Sequence, residues 1–126
     1  VPPWGEASGP VGDAGDLAEA IRAHLLRGEP IDHIPIRPVG TPFQLRVWEE
    51  LRRIPVGQTI TYSELAHRLG DLKAERAVAA ANGANRIGIL IPCHRVVGSK
   101  GELRGFFWGL ERKAKLLELE WGLVAR

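Results

Sequence analysis

Several stretches of the chain carry apolar residues at helical spacing, and turn signals separate one stretch from the next. The first contains Leu17, Ile21 and Leu25, which share one face of a predicted helix. Asp16 and Glu19, three residues apart, have the spacing of a capping box. We therefore predict that this helix begins with Asp16 as its cap.

Glycine and proline residues predict irregular or extended segments on both sides of this first helix. Gly28 is placed to end it in a left-handed conformation. Residues 1–15 are rich in glycine and proline and predict an irregular lead-in. Residues 29–40 contain three prolines and predict an extended segment that crosses to the next element.

A second helix is predicted to begin at Thr41 and to end before Pro55. Thr41 at the cap, Pro42 at the first position and Gln44 at the third form a strong start signal. Its predicted buried stripe consists of Phe43, Val47, Trp48 and Leu51. The arginines outside that stripe, expected on a solvated face, are Arg46, Arg52 and Arg53.

Two short helices joined by a turn that contains glycine follow the second helix. Thr61 and Glu64 form another capping box, which predicts a helix over residues 62–69. A second one is predicted over residues 74–82. This arrangement is typical of a helix-turn-helix, although many helical hairpins share it.

The second of these helices is rich in alanine and carries one long cation. Packing in the core would explain Ala77, Val78 and Ala81. It would not explain Arg76, which points away from that face. An arginine on a helix that fits a groove can bind phosphate, read a base edge or fill a gap in the base stack.

The C-terminal part of the chain predicts one short strand and one helix. Residues 87–91 form an apolar run rich in β-branched residues, which predicts a buried strand. The last helix is predicted over residues 110–120. Its inner face is expected to consist of Leu110, Ala114, Leu117 and Trp121.

Composition limits the class of protein. The chain has 126 residues, enough for one compact domain, and its apolar runs are too short to span a bilayer. No secretory signal is recognisable at the N-terminus. A net charge of +2 permits binding to nucleic acid. The single cysteine excludes an internal disulfide and favours a reducing compartment.

That cysteine, Cys93, is followed directly by His94. A thiol beside an imidazole is a candidate nucleophile with its base, although a lone cysteine is often only a small buried hydrophobe. The two side chains meet directly only if the backbone turns at Pro92; otherwise a water must carry the proton. The base also needs an orienting carboxylate, for which the candidates are Glu102, Glu111, Glu118 and Glu120.

Other kinds of site fit the residues less well. The four histidines lack the spacing of metal ligands and there is no second cysteine, so we expect no metal. A cysteine protease or amidase would need Cys93, a histidine and a polar residue such as Asn85. Adjacent Cys and His are atypical of that class.

Residues 91–97, Ile-Pro-Cys-His-Arg-Val-Val, resemble the active-site signature of the O6-alkylguanine-DNA alkyltransferases. The resemblance extends in one register over roughly residues 38–121. It includes the start of the second helix, the helix-turn-helix, the Ala81-Asn82-Gly83 segment, Asn85 and the last helix.

The resemblance implies a mainly α fold with a short β element, a winged helix-turn-helix-like alkyltransferase domain over residues 38–126. Residues 1–37 would then be an irregular lead-in plus one helix. They would be the remnant of an N-terminal αβ domain that is largely missing.

The resemblance also implies a single-turnover repair reaction, in which a flipped guanine loses its O6-alkyl group irreversibly to Cys93. His94 would act as the base through a water, and Glu120 would orient it. Asn85 would support the turn, and Tyr62 would contact the phosphate and the flipped guanine. On this basis we expected a depressed pKa for Cys93.

The remaining implied roles concern DNA and the base pocket. The residues expected to contact DNA are Arg76, Thr61, Tyr62, Ala77 and Arg95. Arg76 would be the finger that fills the vacated stack. The backbone of Cys93 and Val96 would read the base edge. The residues expected to line the pocket are Val96, Phe106, Phe107, Trp108 and Lys113.

The chain departs from the family pattern at two positions. Phe106 stands where members commonly carry a tyrosine, which removes one hydroxyl contact, and Arg86 replaces a frequent proline. The implied partner is double-stranded DNA that contains O6-alkylguanine. We expect no cofactor, no membrane association, a monomer, and a cytoplasmic location that is nucleoid-associated if the source is bacterial or archaeal.

Two other functions remain open on the sequence. One is a lesion sensor that binds alkylated DNA without transfer, as the short alkyltransferase-like proteins do. Those proteins usually carry tryptophan at the acceptor position, whereas this chain has Cys93. The other is a helix-turn-helix transcription regulator in which the cysteine is structural.

Overall fold

The computed structural model describes residues 14–31 and 34–125. Most of the irregular lead-in predicted for residues 1–15 falls on residues 1–13, outside the described residues. In chain order the elements are helix α1 (Ala14–Arg27), helix α2 (Pro42–Leu51), strand β1 (Ile60–Thr61), helix α3 (Tyr62–Arg68), a 3₁₀ turn (Leu72–Ala74), helix α4 (Glu75–Gly83), a second 3₁₀ turn (Cys93–Arg95), strand β2 (Val96–Val97) and helix α5 (Leu110–Val124).

Helix α1 begins earlier than predicted and ends as predicted. It starts at Ala14, so Asp16 lies inside the helix and the proposed cap at Asp16 is wrong. Gly28 ends it with a φ of 74°, and its N–H donates to the carbonyl of His24 at 2.9 Å. The helix packs against α5 and buries Ala23 and His24.

Helix α2 begins where its start signal predicts. The Thr41 hydroxyl accepts the N–H of Gln44, and the Gln44 side chain accepts the N–H of Thr41. Val47, Trp48 and Leu51 of the predicted stripe are buried, and Phe43 packs half-buried against them.

The indole of Trp48 joins α2 to α4. Its Nε1 donates to the carbonyl of Ala81 at 2.8 Å, with both groups buried. A buried indole N–H normally needs such a partner. This bond therefore fixes the position of α4 relative to the apolar core beneath it.

The helix-turn-helix consists of α3 and α4, which pack against each other. The predicted capping box of Thr61 and Glu64 begins α3. Gly70, just after the end of this helix, has a φ of 83°. Helix α4 starts at Glu75, one residue later than predicted, because the 3₁₀ turn occupies Leu72–Ala74.

One face of α4 is buried and the other is exposed. Val78 and Ala81 are buried, whereas Arg76 and Ala77 are exposed. The interpretation of α4 as a helix packed in the core is therefore right for Val78 and Ala81 and wrong for Ala77. The outer face combines a small side chain with one long cation.

The predicted strand at residues 87–91 is wrong. That segment is a series of turns in which Ile89 has a φ of 68°. The side chain of Asn85 accepts the N–H of Ile87 at 2.9 Å and donates to the carbonyls of Ile87 and Ile91 at 3.2 and 3.0 Å. Because one amide takes three backbone groups, they are not free to form a sheet.

The short β element lies after the cysteine instead. β1 and β2 pair in parallel, with Ile60 opposite Val96 and Thr61 opposite Val97. The pairing brings the start of the helix-turn-helix next to the segment that follows Cys93. Within 14–31 and 34–125, no helix combines the length and the apolar character that crossing a bilayer requires.

The inner face of α5 differs from the prediction. Leu110, Ala114 and Trp121 are exposed and Leu117 is only half-buried. The fully buried side chains of this helix are those of Lys113 and Glu120. They lie seven residues apart and so on one face. The helix turns this polar pair inward because both side chains find partners around Cys93.

Candidate active site

Cys93 lies in the apolar core at the start of a 3₁₀ turn. It is 2% exposed and belongs to the same cluster as Trp48, Leu65 and Val96. The turn follows Pro92, and the N–H of Arg95 donates to the Pro92 carbonyl at 3.0 Å. The backbone therefore turns at Pro92, as close approach of the Cys93 and His94 side chains would require.

Two asparagines hold the backbone around the thiol. Asn85 binds the loop that leads to Cys93 through the three bonds described above. Asn82, at the end of α4, donates to the carbonyl of Cys93 at 3.4 Å. Both side chains are 1% exposed. The position of the cysteine thus depends on the helix-turn-helix through two side-chain amides.

Glu120 is the orienting carboxylate among the four candidates. Its Oε1 accepts the Nε2–H of His94 at 2.9 Å and the Nε–H of Arg95 at 2.9 Å. Its Oε2 accepts from Nη2 of Arg95 at 2.6 Å. Glu120 and His94 are both 0% exposed. This agrees with the implied pairing of His94 with Glu120.

The charges in this cluster favour a neutral imidazole beside a carboxylate ion. Burial lowers the pKa of His94, and Glu120 only partly opposes that shift. Burial by itself would raise the pKa of Glu120, but the hydrogen bonds from Arg95 and His94, together with the nearby imidazole of His24, hold it well below its usual value.

Nδ1 of His94 is left to act as a base. Nε2 donates to Glu120, so the neutral ring keeps its lone pair on Nδ1. Among the described residues Nδ1 has no hydrogen-bond partner, although it is buried. An unpaired acceptor next to a thiol in sequence is what a proton relay requires.

The expected depression of the Cys93 pKa is wrong for the protein at rest. Burial raises the pKa of this thiol, and Asn85 and the Lys113 ammonium oppose the shift only in part. Desolvation disfavours the charged form of any acid. Cys93 is therefore a protonated thiol in the protein at rest rather than a standing thiolate.

Tyr62 and Lys113 meet at one backbone carbonyl. The Tyr62 hydroxyl donates to the Arg104 carbonyl at 3.1 Å, and Nζ of Lys113 donates to the same oxygen at 2.6 Å. Burial raises the pKa of Tyr62, so the phenol keeps its proton. Burial also lowers the pKa of Lys113 to about 8.

The loop that carries this carbonyl comes close to Tyr62 because of a glycine. Gly105 has a φ of 56°, and a Cβ on it would lie 3.3 Å from the Tyr62 hydroxyl. A left-handed backbone position of this kind favours glycine. Any other residue at position 105 would strain the backbone, and its Cβ would crowd the Tyr62 hydroxyl.

A cavity of about 590 Å³ lies outside Tyr62, between α4 and this loop. Arg76 from α4 and Arg104 from the loop line it together with Lys73, which makes its rim largely basic. Exposed Ala77 lies on the same helix, and Thr61 is half-buried as the cap of α3. The residues expected at DNA thus lie in the helix-turn-helix, where Tyr62 and Arg76 line this opening, with one exception.

That exception is Arg95. It is 5% exposed, and its guanidinium donates twice to Glu120 and once to the Ile54 carbonyl at 2.6 Å. The expectation that it contacts DNA is wrong, because all of these bonds would have to break. Its role is to neutralise a buried carboxylate.

The residues predicted for the base pocket occupy different environments. Val96 is buried in β2, and its N–H donates to the Cys93 carbonyl. Phe106 and Trp108 pack against the core with ring centroids 5.2 Å apart. Phe107 is 57% exposed and lies under the guanidinium of Arg86, 3.9 Å from its ring centroid. The structure therefore places Phe107 on the outside of the loop.

Sequence reasoning missed two side chains of the site. Asn82 reaches the Cys93 carbonyl, and Nε2 of His24 lies 3.7 Å from Oε2 of Glu120. His24 lies three residues after Ile21 and so on the apolar face of α1. That position in the sequence could have indicated a buried histidine. In the part of the chain that the structure describes, no three His, Cys, Asp or Glu side chains form a group that could hold a metal ion.

A family profile described as "6-O-methylguanine DNA methyltransferase, DNA binding domain" matches residues 42–122. The match includes Cys93, His94 and Glu120. The chain belongs to this family.

Relatives of the methyltransferase family resemble the chain over most of its length. It is 46% identical over 107 residues to a methylated-DNA–protein-cysteine methyltransferase of Shigella flexneri, covering 84% of the chain and 63% of that protein. It is 52% identical over 104 residues to the bifunctional transcriptional activator/DNA repair enzyme Ada of Escherichia coli, covering 82% of the chain and 29% of that protein.

A solved structure has a similar fold. The chain superposes on the Mycobacterium tuberculosis protein OGT in complex with DNA with a TM-score of 0.82 and 40% identity. The match covers 86% of this chain and 68% of that one. Of the two curated relatives above, the chain spans 63% and 29% of the length, which is less than two thirds in both cases.

Arg95→Met tests the buried ion pair. Removing one partner leaves Glu120 buried without its main counter-charge, so we expect the free energy of unfolding to fall by about 3–5 kcal/mol. Urea denaturation followed by circular dichroism measures it. Arg53→Met is the matched control, since Arg53 pairs on the surface with Glu49 and Glu50, and it should cost less than about 1 kcal/mol. Equal losses in the two variants would contradict the assignment.

The pH dependence of thiol alkylation tests the state of Cys93. Because burial raises its pKa, the rate of modification by iodoacetamide should rise at higher pH in the folded protein than in the same chain unfolded in urea. Mass spectrometry of the Cys93 peptide follows the reaction. A midpoint at or below that of the unfolded chain would show that a thiolate is already present at rest.

Proposed function

We propose that this chain repairs DNA by moving an alkyl group from O6 of guanine to the sulfur of Cys93, once per molecule. The observation that carries the proposal is a buried thiol directly followed by a neutral histidine, itself held by a buried carboxylate. Membership of the methyltransferase family supports the same reaction, and the relatives' names describe it for those proteins.

Activation of the thiol follows from the cluster geometry. Nδ1 of His94 takes the thiol proton, through a bridging water, as the sulfur attacks the alkyl carbon. The charge that appears on the imidazole is stabilised by Glu120, which already accepts its Nε2–H. Because Cys93 is protonated at rest, the nucleophile is formed only when this base is in place.

The bond changes balance without any cofactor. An S–C bond forms as the C–O6 bond breaks, and the electron pair of the broken bond stays on the guanine. One proton leaves the thiol for His94 and one reaches the departing base, so guanine leaves neutral. The resulting thioether is stable, which makes the transfer irreversible and the protein a stoichiometric reagent.

Protonation of the base requires a change at Arg104. Tyr62 and Lys113 are donors close enough to interact electrostatically with Cys93, and both donate to the Arg104 carbonyl. A base that enters must replace this carbonyl as their acceptor. The loop that contains Gly105 therefore shifts when substrate binds, and the raised pKa of Tyr62 keeps a proton ready for transfer.

Binding to double-stranded DNA is proposed through α4 and the rim of the cavity outside Tyr62. The small side chain of Ala77 lets the helix backbone approach a groove closely. Arg76, exposed on the same helix, would fill the stack vacated by the flipped base. Lys73 and Arg104 add positive charge at the same opening.

Peptide mass after reaction tests the transfer. The protein is incubated with a duplex that contains O6-methylguanine, and the Cys93 peptide should gain one methyl group with no second turnover. Unmodified duplex is the control. Tight binding to the lesion duplex with Cys93 unmodified would instead identify a lesion sensor. Preference for a sequence rather than a lesion would identify a transcription regulator.

Arg76→Ala separates base flipping from chemistry. Without the finger, transfer from duplex DNA should fall by roughly ten- to a hundredfold, the equivalent of a few kcal/mol of unstacking energy. Reaction with free O6-benzylguanine should be nearly unchanged, because a free base needs no flipping. Arg22→Ala, on an exposed part of α1, is the control. Equal losses with both substrates would contradict the finger role.

A further inference from the structure

His24 reaches the active-site carboxylate from outside the segment that matches the family profile. That segment is residues 42–122, whereas His24 lies in the last turn of α1. The side chain is 2% exposed, and its Nε2 lies 3.7 Å from Oε2 of Glu120. Oε1, the other oxygen of this carboxylate, is the one that His94 uses.

Hydrogen bonding fixes which nitrogen of His24 faces Glu120. Nδ1 lies 2.9 Å from the carbonyl of Glu29, and a carbonyl can only accept, so Nδ1 carries a proton. In a neutral ring Nε2 would then present a lone pair to a carboxylate. Within the described part of the chain this buried nitrogen has no hydrogen-bond partner. Protonation of Nε2 turns the unfavourable contact into an ion pair.

The surroundings of His24 contain charges of both signs. The negative groups are Glu120 of α5, whose Oε2 lies 3.7 Å from Nε2, and the C-terminal carbonyls of α1. The positive groups are Arg95, which is paired with Glu120, and Arg52 after α2, which lines a cavity of about 260 Å³ together with His24. His94 of the 3₁₀ turn is the other titratable side chain that contacts the same carboxylate.

We propose that His24 is a positioning residue for the Glu120–His94 pair: its ring lies against the carboxylate oxygen that His94 leaves free and steadies Glu120 in the orientation that holds His94. This inference rests on the proposed transfer to Cys93. The N-terminal helix is then part of the reaction apparatus, although its residues lie before the segment that identifies the family.

The electrostatic consequence has a definite sign. A protonated His24 places a positive charge near His94 and lowers the pKa of that ring. Removing the charge must raise the pKa of His94. The base then becomes neutral, and able to accept the thiol proton, only at higher pH.

Two substitutions separate the two nitrogens of His24. The amide nitrogen of asparagine takes roughly the place of Nδ1, so His24→Asn keeps a donor for the Glu29 carbonyl and removes the group that faces Glu120. The amide nitrogen of glutamine takes roughly the place of Nε2, so His24→Gln does the reverse. Neither amide titrates. Arg22→Asn, on an exposed position of the same helix, is the matched control.

Single-turnover transfer rates across pH give the first readout. Both His24 variants should shift the rise of the rate with pH upward, by roughly half a unit or more. The rate at the plateau should fall roughly tenfold in His24→Asn and stay near that of the unaltered protein in His24→Gln. A role limited to fixing the Glu29 turn predicts the opposite order and no shift in either variant, and that result would overturn the proposal.

Long-range ¹H–¹⁵N NMR of the histidine rings gives a readout that does not depend on repair. The neutral His24 ring should carry its proton on Nδ1, and the titration of His94 should move to higher pH in His24→Asn. An unmoved His94 titration refutes the role of His24. A protein that shows the coupling but transfers no alkyl group refutes the proposed function instead. Should His24→Asn not fold, His24→Gln carries the same pH prediction.

Discussion

The buried carboxylate of Glu120 is the interaction on which the rest of the site depends. It lies in the core, where an unpaired charge would be costly, and Arg95 and His94 supply the donors that allow it to stay ionised. The same two donors are consecutive residues after Cys93. One helix at the end of the chain therefore fixes both the orientation of the base and the course of the backbone that carries the nucleophile.

Local signals in the sequence predicted most of the helix ends that hydrogen bonding within one turn decides, although the cap at Asp16 was wrong. The capping boxes at Thr41 and Thr61 and the left-handed Gly28 are found as predicted. Each depends on residues at most four positions apart, so the chain itself shows the outcome.

Tertiary contacts account for what the sequence could not predict. Residues 87–91 have the composition of a strand, but the Asn85 amide takes their backbone groups. On α5 the apolar positions favoured one face, whereas the bonds available to Lys113 and Glu120 turned another inward. Arg95 was expected at DNA from the resemblance, and only the position of Glu120 shows otherwise. The resemblance to the family, by contrast, correctly paired His94 with Glu120.

Burial explains how the Cys93 thiol can be unreactive at rest and still lie next to a base that could activate it. At rest the raised pKa of Cys93 keeps it protonated, and the core shields it from solvent. The neighbouring imidazole is kept neutral by the same desolvation, so it retains the capacity to accept a proton. The low polarity that suppresses the thiolate thus also preserves the base that can generate it.

The carbonyl of Arg104 competes with any bound molecule for the hydrogen bonds of Tyr62 and Lys113. Tyr62 and Lys113 both donate to this tethered oxygen, whose effective concentration is far above that of any free acceptor. A group that offers a single weak contact competes poorly with it. Under the proposed reaction, an incoming nucleotide must present acceptors to both donors at once and supply the energy to move the loop. Selectivity in that reaction would therefore begin as a threshold for entry, before the chemistry of the alkyl group is tested at all.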